Sequence, residues 1–415
     1  MKILFLLPDF PYPVSTGGRF KIFNILKYLS KQHQCDILCF GNLDQSKKTR
    51  LMELLPNVQI LDVIPPVSGM VRWMKSLWYV ACGLPPSFSS FSDQKYVSVL
   101  KRHLVSSDYN LVHYDIVNMA QYLPFSSNIA SIHSPNDATS NVYFLTAAST
   151  SWSFTKIRLL ISAILLRRFE RNNYHKFNKI HVVSQADAEY LIELVSGVDV
   201  SVIPIAINKE LLQKTDLNRS EDVTHTGNFR IVCTGNLGNP EIAKGVRDFV
   251  NVALPLIFEK VPNVRFVLLG QNASQTLQEM FRGHTNIEFL TWADDYREFL
   301  AGANLVLVPD NMGPPGAKVR TLQAMGLGLP IVGTTNAFAG INFIDGKHGL
   351  RYKTMAECAE QVLLLFSDKK ICKYLGENAY QLAMEDHSLS VLGPRYERLY
   401  QEAIAKFNSP QRTGL

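Results

Sequence analysis

Short apolar runs alternate with segments of helical period at the start of the chain. Ile3–Leu7 and Asp36–Phe40 are apolar runs of strand length. Between them, after a turn rich in proline and glycine, Phe23, Leu26 and Leu29 recur at helical spacing. This order predicts a βαβ unit, in which a helix joins two parallel strands.

The second half of the chain repeats the alternation more regularly. The residues from Val246 to Phe258 place their apolar side chains on one helical stripe, and Pro255 is expected to kink that helix. The other predicted elements are strands at Arg230–Thr234, Val264–Leu269, Ile287–Leu290, Leu305–Val308 and Pro330–Val332, and helices near Leu277–Phe281, Tyr296–Leu300 and Val319–Met325. Apolar strands that alternate with amphipathic helices predict an α/β protein whose parallel sheets are covered on both faces.

The length of 415 residues predicts more than one domain, because single cores stop growing near roughly 250–300 residues. The polar stretch Asp216–Asn228 has no periodicity and is typical of a linker. We therefore expect an N-terminal domain at 1–215, a C-terminal domain at 229–390, and a last helix at 391–415 that returns to the N-terminal domain. In such doubly wound domains the ligand lies at the carboxyl ends of the strands.

Composition excludes several classes of protein. A chain with 47% hydrophobic and 19% charged residues is not a disordered protein. The net charge of +6 is too small to indicate a nucleic-acid partner. The six cysteines form no C-x₂-C pair, which predicts a reduced, cytoplasmic protein without a cysteine metal site. The N-terminal apolar run is too short for a signal-peptide core, and Leu159–Leu166 is too short to cross a bilayer.

The segment from Pro309 to Pro330 carries the clearest chemical signal. A strand ends at Pro309, a loop of glycine and proline follows, and a helix is predicted to begin near Ala317 with Lys318 and Arg320 in its first turn. Free backbone N–H groups, the positive end of a helix and two cations together suit a diphosphate. An ordinary surface loop with incidental basic residues is the alternative.

This segment resembles the retaining nucleotide-sugar glycosyltransferases of family four, in their exopolysaccharide-type subgroup. Residues 316–332 follow the family pattern G-T-R-I-K-V-L-E-A-M-A-x-G-L-P-V-V without a gap. Residues 10–18 resemble the opening F-P-x-P-x-x-x-G-G, residues 232–237 resemble V-F-T-G-N-M, Lys244-Gly245 matches K-G, and residues 340–349 resemble the segment that ends D-G-x-x-G. The resemblance implies the GT-B fold, two doubly wound Rossmann-like domains that face each other across a cleft.

The resemblance also implies roles for individual residues. Lys244 is expected to contact the donor diphosphate, and Arg320 stands at the family's phosphate-contacting lysine. Further donor-binding positions are Gly17, Gly18, Gly235, Asn236, Lys318 and Gln323. His133, in the segment Ser131–Asp137, is expected to hydrogen-bond the donor sugar or the developing charge. His113 is a competing candidate, and Asp137 is interpreted either as a ligand of a sugar hydroxyl or as a helix cap.

Two positions depart from the family pattern. The E-x₇-E pair would fall on residues 315 and 323, where the chain has Pro315 and Gln323. Gln323 keeps a carbonyl acceptor for a ribose hydroxyl but loses the charge. The arginine that many relatives carry six residues before the K-G lysine falls on Gly238. No D-x-D motif occurs, so lysine and arginine are expected to act in place of a metal.

Two basic, aromatic segments allow two interpretations. Val71–Ala81 and Lys156–Lys179 combine apolar stripes with lysine and arginine. Such helices lie at an anionic membrane surface in some proteins. In others they pack on a sheet with their charges in solvent.

These observations predict a metal-independent enzyme that transfers a hexose from a UDP- or GDP-sugar to a saccharide, free or lipid-linked, with retention at the anomeric carbon. It would act in polysaccharide or glycan assembly, in the cytoplasm or at the cytoplasmic face of the membrane, with no cofactor besides the donor substrate. A catalytically weakened nucleotide-sugar-binding protein is the main alternative. An epimerase would need carboxylates in the cleft, and a dinucleotide-dependent dehydrogenase would need a G-x-G-x-x-G motif after the first strand.

Overall fold

The computed structural model describes residues 1–42, 44–208, 229–282, 284–291, 299–300, 302–311 and 316–409. The chain forms two compact units. Unit 1 comprises Met1–Pro204 and the chain from Leu392 onward, and unit 2 comprises Ile205–Val391. The predicted linker at Asp216–Asn228 and most of the helix predicted near Tyr296–Leu300 lie outside the described residues.

Unit 1 is an α/β unit on a parallel sheet. Its strands are β1 (Lys2–Leu7), β2 (Gln34–Phe40), β3 (Val58–Ile64), β4 (Leu111–Asp115), β5 (Ala130–Asn136), β6 (Lys179–Val182) and β7 (Val200–Val202). Its helices before residue 204 are α1 (Gly17–Leu29), α2 (Gln45–Leu54), α3 (Gly69–Ala81), α4 (Gln94–Ser106), α5 (Ile116–Met119), α6 (Thr139–Ser149), α7 (Phe154–Asn173) and α8 (Gln185–Leu194). Short 3₁₀ segments occupy Pro86–Phe91, Ala120–Phe125 and Tyr174–Lys176.

The strands of unit 1 lie in the order β3-β2-β1-β4-β5-β6-β7. The winding direction therefore reverses between β1 and β4, which is where doubly wound sheets bind ligands. Apolar side chains cover both faces, so the strands are continuous apolar runs rather than alternating ones. On one face Phe40 stacks on Tyr96 with ring centroids 4.4 Å apart. The predicted βαβ opening is confirmed.

Unit 2 repeats the same architecture. Its strands are β8 (Arg230–Asn236), β9 (Arg265–Gln271), β10 (Ile287–Leu290), β11 (Leu305–Val308), β12 (Ile331–Gly333) and β13 (Leu350–Arg351). Its described helices are α9 (Pro240–Asp248), α10 (Leu254–Lys260), α11 (Gln275–Phe281), α12 (Val319–Gly326), α13 (Met355–Ser367) and α14 (Lys369–His387). A 3₁₀ turn occupies Thr335–Phe338. The parallel strands lie in the order β10-β9-β8-β11-β12-β13, so the winding reverses between β8 and β11.

The helix predicted over Val246–Phe258 is longer and less regular than its apolar stripe indicates. It begins at Pro240, because the Asn239 side chain accepts the Glu241 N–H at 2.9 Å and Pro240 takes the first helical position. A π-helical turn over Phe249–Ala253 separates α9 from α10, whose second residue is Pro255, and the kink at this proline stays a prediction. The early start places Lys244 inside α9 rather than in the preceding loop.

The last helix, α15 (Leu389–Asn408), adds side chains to the core of unit 1 from Leu392 onward. Tyr396 and Tyr400 are buried, and the Tyr400 hydroxyl lies 2.6 Å from His113 Nδ1. Arg395 donates to the carbonyl of Val202 at the end of β7. This helix is therefore a structural part of unit 1 although it lies at the end of the chain.

Among the described residues, no helix is both long enough and apolar enough to cross a membrane.

Candidate functional site

The candidate site in unit 2 lies at the carboxyl ends of β8 and β11, where the winding reverses. Gly235 and Asn236 end β8, Pro309 and Asp310 follow β11, and the helices α9 and α12 begin beside them. Residues 312–315, which include Pro315, lie outside the described part of the chain. The predicted site residues of the C-terminal half thus come from two loops and two helices that meet at one edge of the sheet.

Arg320 is held by the protein on two sides. Its Nη1 donates to the carbonyl of Thr234 at 3.1 Å, and its Nη2 donates to Asp310 Oδ2 in a short ion pair. The side chains are 12% and 5% exposed, respectively, so the pair is nearly buried. A guanidinium has five donor N–H groups in a planar arrangement, which allows it to bind several acceptors at once. The pairing with Asp310 fixes where the positive charge stands.

Gly235 makes room for the Arg320 guanidinium. A Cβ built on Gly235 would lie 2.7 Å from Arg320 Nη1 and 3.1 Å from a methyl group of Ile242. Any larger residue would displace either the arginine or α9. The glycine predicted as a donor-binding residue therefore has a structural reason, which is the position of Arg320.

Lys244 is the exposed cation of this edge. Its side chain is 57% exposed, and its Nζ donates to Asp248 Oδ2 at 2.9 Å, one helical turn later. Exposed pairs of this kind are weak, on the order of 0.3–0.5 kcal/mol. The lysine can therefore exchange Asp248 for a phosphate oxygen at little loss.

The turn after β8 is built by Asn236. Its Oδ1 accepts the Gly238 N–H at 3.0 Å and an Asn272 side-chain N–H at 3.1 Å. Gly238, where many relatives of the resembled family carry arginine, lies in this turn. The exposed Asn236 side chain thus organises the loop that leads into α9.

Lys318 and Gln323 both lie on or beside α12. Lys318 stands at the N-cap position, and its Nζ donates to the carbonyl of Gly316 at 3.1 Å. Gln323 is half-buried one turn after Arg320. The helix begins at Val319, as the predicted bounds Val319–Met325 have it, so Lys318 precedes the first turn instead of lying in it.

Gly17 and Gly18 open α1 in unit 1, directly after the loop that follows β1. Thr16 caps this helix by accepting the Arg19 N–H at 3.3 Å. A Cβ built on Gly18 would meet no described atom closer than Asn136 Nδ2, at 4.0 Å. Packing among the described residues therefore does not require glycine at position 18, and its role in donor binding stays a prediction.

The two histidine candidates are core residues. His133 lies within β5, not in a loop after it, and is fully buried. Its Nδ1 lies 3.1 Å from the carbonyl of Tyr114, and its ring stacks on Phe177 at 4.9 Å. Burial lowers the pKa of His133 to about 3, so the ring is neutral. His113 is equally buried, and these positions give neither ring a surface with which to touch a sugar.

Asp137 does not cap the next helix. The N-cap position of α6 is Ala138, and no side chain caps it there. The Ala138 N–H is bound instead by Asp187 Oδ1 at 2.8 Å. The interpretation of Asp137 as a helix cap is therefore wrong, and its contact with a sugar hydroxyl stays a prediction.

Unit 1 contains a buried polar cluster that was not predicted from the sequence. Lys21 Nζ donates to Asp115 Oδ1 at 2.7 Å and to Ser134 Oγ at 2.8 Å. Ser134 Oγ also lies 2.8 Å from His181 Nδ1. The four side chains are at most 2% exposed and lie at or near the carboxyl ends of β4, β5 and β6. The only sequence feature that could have indicated this cluster is the presence of polar residues at the ends of apolar strands.

Electrostatics within this cluster favour one charged pair. Burial raises the pKa of Asp115, and the Lys21 ammonium beside it opposes that rise. Burial, together with the charge of Lys21, lowers the pKa of His181 to about 3. The cluster thus connects α1, through the Lys21–Asp115 ion pair, to the neutral imidazole of His181 on β6.

Comparison with known structures shows the fold of the whole chain. Sucrose-phosphate synthase from Thermosynechococcus elongatus is similar with a TM-score of 0.69 and 15% identity, over 98% of this chain and 100% of that one. HepE from Anabaena, in complex with UDP-glucose, is similar with a TM-score of 0.66 and 16% identity, over 97% and 99%. WaaG, a glycosyltransferase involved in lipopolysaccharide biosynthesis, is similar with a TM-score of 0.65 and 14% identity, over 96% of this chain and 99% of that one.

No curated protein matches the chain significantly. A family model does match, the one described as Glycosyl transferases group 1, at residues 228–368. This range contains Gly235, Lys244, Arg320 and Gln323, and with them the whole described edge between β8 and β11. The chain therefore carries a glycosyl transferases group 1 domain within a GT-B fold, and the protein is a glycosyltransferase.

Proposed function

We propose that the protein transfers a hexose from a nucleoside-diphosphate sugar to a hydroxyl of a saccharide acceptor, with retention at the anomeric carbon, in the assembly of a polysaccharide or glycan. The observation that carries the proposal is the placement of Lys244 and Arg320 at one edge of the unit 2 sheet, beside the N-termini of α9 and α12. Two cations and two helix N-termini complement a diphosphate.

The donor base is the part of the proposal to which the similar structures contribute most. HepE has been seen with UDP and with UDP-glucose, and its structure covers 97% of this chain. This supports uridine over guanosine as the base of the donor. Gln323 is the residue we assign to the ribose hydroxyls, through its carbonyl oxygen.

The proposed chemistry needs few protein groups. The acceptor hydroxyl oxygen bonds to the anomeric carbon on the face that the diphosphate leaves, and the departing phosphate oxygen keeps the electron pair of the broken bond. That oxygen also takes the proton of the acceptor hydroxyl. The protein contributes orientation and positive charge, since Lys244 and Arg320 stabilise the charge that develops on the diphosphate.

The test measures donor binding and transfer separately. Calorimetry with UDP, GDP and UDP-glucose is compared for wild type, Lys244→Ala and Arg247→Ala. Arg247 is an exposed cation on the same helix, so it controls for net charge. We expect about a tenfold or greater loss of UDP affinity for Lys244→Ala only, because a charge-assisted contact contributes about 1.5–3 kcal/mol. Equal affinities in all three proteins would contradict the assignment of the diphosphate site.

A second candidate function is a nucleotide-sugar-binding protein with weakened catalysis. Gln323 favours it, because the position carries a glutamine where the resembled family has a carboxylate. Transfer and donor hydrolysis are measured for wild type, Gln323→Glu and Gln323→Met. A wild type that binds UDP-sugar without turnover, and that gains transfer only in Gln323→Glu, would support this candidate. Turnover by wild type supports the transferase.

A further inference from the structure

Helix α3 of unit 1 has its apolar side chains on the outside. Seven of its apolar residues are between 38% and 71% exposed, and the largest of them are Trp73 and Trp78, at 60% and 62%. Its inward contacts include two polar ones, since Lys75 Nζ donates to the Ser92 carbonyl and Ser76 Oγ lies 2.7 Å from Ser89 Oγ. Tyr79 is its one buried residue. Burial of an apolar face normally stabilises a surface helix, and here that face is turned to solvent.

Helix α7 carries a second exposed apolar stripe. Phe154, Ile157, Ile161 and Ile164 are between 41% and 83% exposed, and they recur at helical spacing. Trp152, just before the helix, is 78% exposed. Each stripe is a run of neighbouring exposed apolar residues on one helix, unlike the scattered single residues that are usual on a protein surface.

The charges beside these stripes have one sign. The basic residues of the two helices are Arg72, Lys75, Lys156, Arg158, Arg167, Arg168 and Arg171. The one acidic residue in either helix is Glu170, which is buried and bound to Ser140. Lys75 and Lys156 are half-buried and donate to backbone carbonyls, whereas the five arginines are exposed. Within the two helices, exposed apolar area is therefore combined with exposed arginine and with no exposed acidic residue.

The two helices are joined through the end of α3 and the 3₁₀ segment that follows. A Cβ built on Gly83 would lie 3.3 Å from Arg168 Nη1 on α7. Phe88, in the 3₁₀ segment Pro86–Phe91, packs edge-on against Phe169 of α7 with ring centroids 4.8 Å apart. Phe88 and Phe169 are both buried, so the connection is part of the core of unit 1.

We propose that α3 and α7 form a docking surface for the anionic face of a lipid bilayer. Amphipathic helices with tryptophan on the apolar side and lysine or arginine beside it lie in the interface of such membranes. A second copy of the chain fits less well, because a twofold contact would set this positive surface against itself. The proposal deepens the proposed function, since it would bring the transferase to a lipid-linked acceptor.

The experiment measures binding to vesicles with no sugar nucleotide present, so its outcome is independent of the transfer reaction. Wild type is floated with vesicles of phosphatidylcholine alone and of phosphatidylcholine with phosphatidylglycerol, at low and high salt. We expect binding to the anionic vesicles, weakened by salt. Three of the four tryptophans are in or beside these helices, so a blue shift of the intrinsic fluorescence reports their burial.

Paired variants locate the surface. The double variant Trp73→Ser, Trp78→Ser is expected to lower the partition coefficient at least about tenfold, because it lacks both indole rings that would insert into the membrane interface. Arg158→Gln and Arg171→Gln are each expected to lower it about fivefold, on anionic vesicles only. The controls are Ile192→Ser, an equally exposed apolar residue on α8, and Lys373→Gln on α14.

Each outcome either supports or overturns the docking surface. The proposal is overturned if wild type floats with neither kind of vesicle. It is also overturned if the variants on α3 and α7 bind the anionic vesicles as strongly as the control variants do. A dimer in solution that becomes a monomer in the tryptophan double variant would assign the surface to a second copy instead. Circular dichroism and the thermal shift produced by UDP verify that each variant is folded and still binds its nucleotide, so failure of the proposed function is recognised separately.

Discussion

Gly245 lies against the backbone carbonyl of Pro309 where α9 passes the end of β11. A Cβ built on Gly245 would be 1.9 Å from that oxygen, so only glycine fits between the helix and the strand. Because Lys244 precedes Gly245, this contact sets how far the lysine stands from the edge of the sheet. The K-G pair thus combines a packing residue with a ligand-binding candidate.

We expect Gly245→Ala to lower the free energy of unfolding by about 1–3 kcal/mol, as overpacking of a core contact does. It should also weaken UDP binding, since α9 has to move away from β11. Urea unfolding followed by circular dichroism measures the first effect, and calorimetry the second. Gly18→Ala is the matched control for the stability measurement only, because its Cβ would meet no described atom closer than 4.0 Å. Equal stability of Gly245→Ala and wild type would contradict the close approach.

We expect Asp310→Asn to destabilise the ligand-free protein by about 3–5 kcal/mol, because the substitution removes the carboxylate that pairs with the nearly buried Arg320 charge. A bound diphosphate would replace the lost negative charge, so saturating UDP should raise the melting temperature of the variant more than that of wild type. Differential scanning fluorimetry measures both. The control is Glu377→Gln, which breaks an exposed pair with Lys373. A smaller UDP shift in Asp310→Asn than in wild type would count against a diphosphate at Arg320.

The Lys21–Asp115 pair gives a prediction for unit 1. Lys21→Met leaves the Asp115 carboxyl buried without its cation, which should reduce the free energy of unfolding by about 3–5 kcal/mol. The double variant Lys21→Met, Asp115→Asn removes both charges and should recover part of that loss. Chemical denaturation compares the two with Arg50→Met, whose pair with Glu53 is exposed. A double variant less stable than the single one would show that the pair is not the source of the effect.

The buried carboxyl of Glu170 predicts that the stability of the protein depends on pH. It is buried, it accepts the Ser140 N–H at 2.9 Å, and burial raises its pKa to about 7. A raised pKa means that the folded state prefers the protonated carboxyl, so its contribution to stability is complete below the ordinary pKa and is lost as pH rises through about 7.

We therefore expect Glu170→Gln to gain stability relative to wild type between pH 5 and pH 8, by on the order of 1.4 kcal/mol for each unit of pKa shift. Melting temperatures of both proteins across that range measure the difference, in which the titration of all other groups cancels. Glu189→Gln, at an exposed position on α8, should follow wild type throughout. Parallel curves for wild type and Glu170→Gln would contradict the raised pKa.

Local pattern was sufficient for much of the fold. Strands β10 and β11 have the bounds that their apolar runs predict, and the alternation of strands and helices correctly indicates two parallel sheets. The start of α9 at Pro240 could also have been predicted from Asn239 and the proline after it. The prediction followed the apolar stripe instead and placed the start at Val246. Signals of this kind act over a few residues, which is why a single sequence contains them.

The chain by itself thus determined the α/β class, the βαβ opening and most strands of unit 2. It also indicated the segment from Pro309 to Pro330 as the place for an anion, which stays a prediction. Tertiary structure decided which polar residues meet. Arg320 pairs with Asp310 and Thr234, and Lys21 with Asp115 and Ser134, because the order of strands brings distant segments together. The same packing buried His133 within β5, where its neighbours in sequence indicate a loop. Strand order and burial arise from contacts between segments far apart in the chain, so no local pattern contains them.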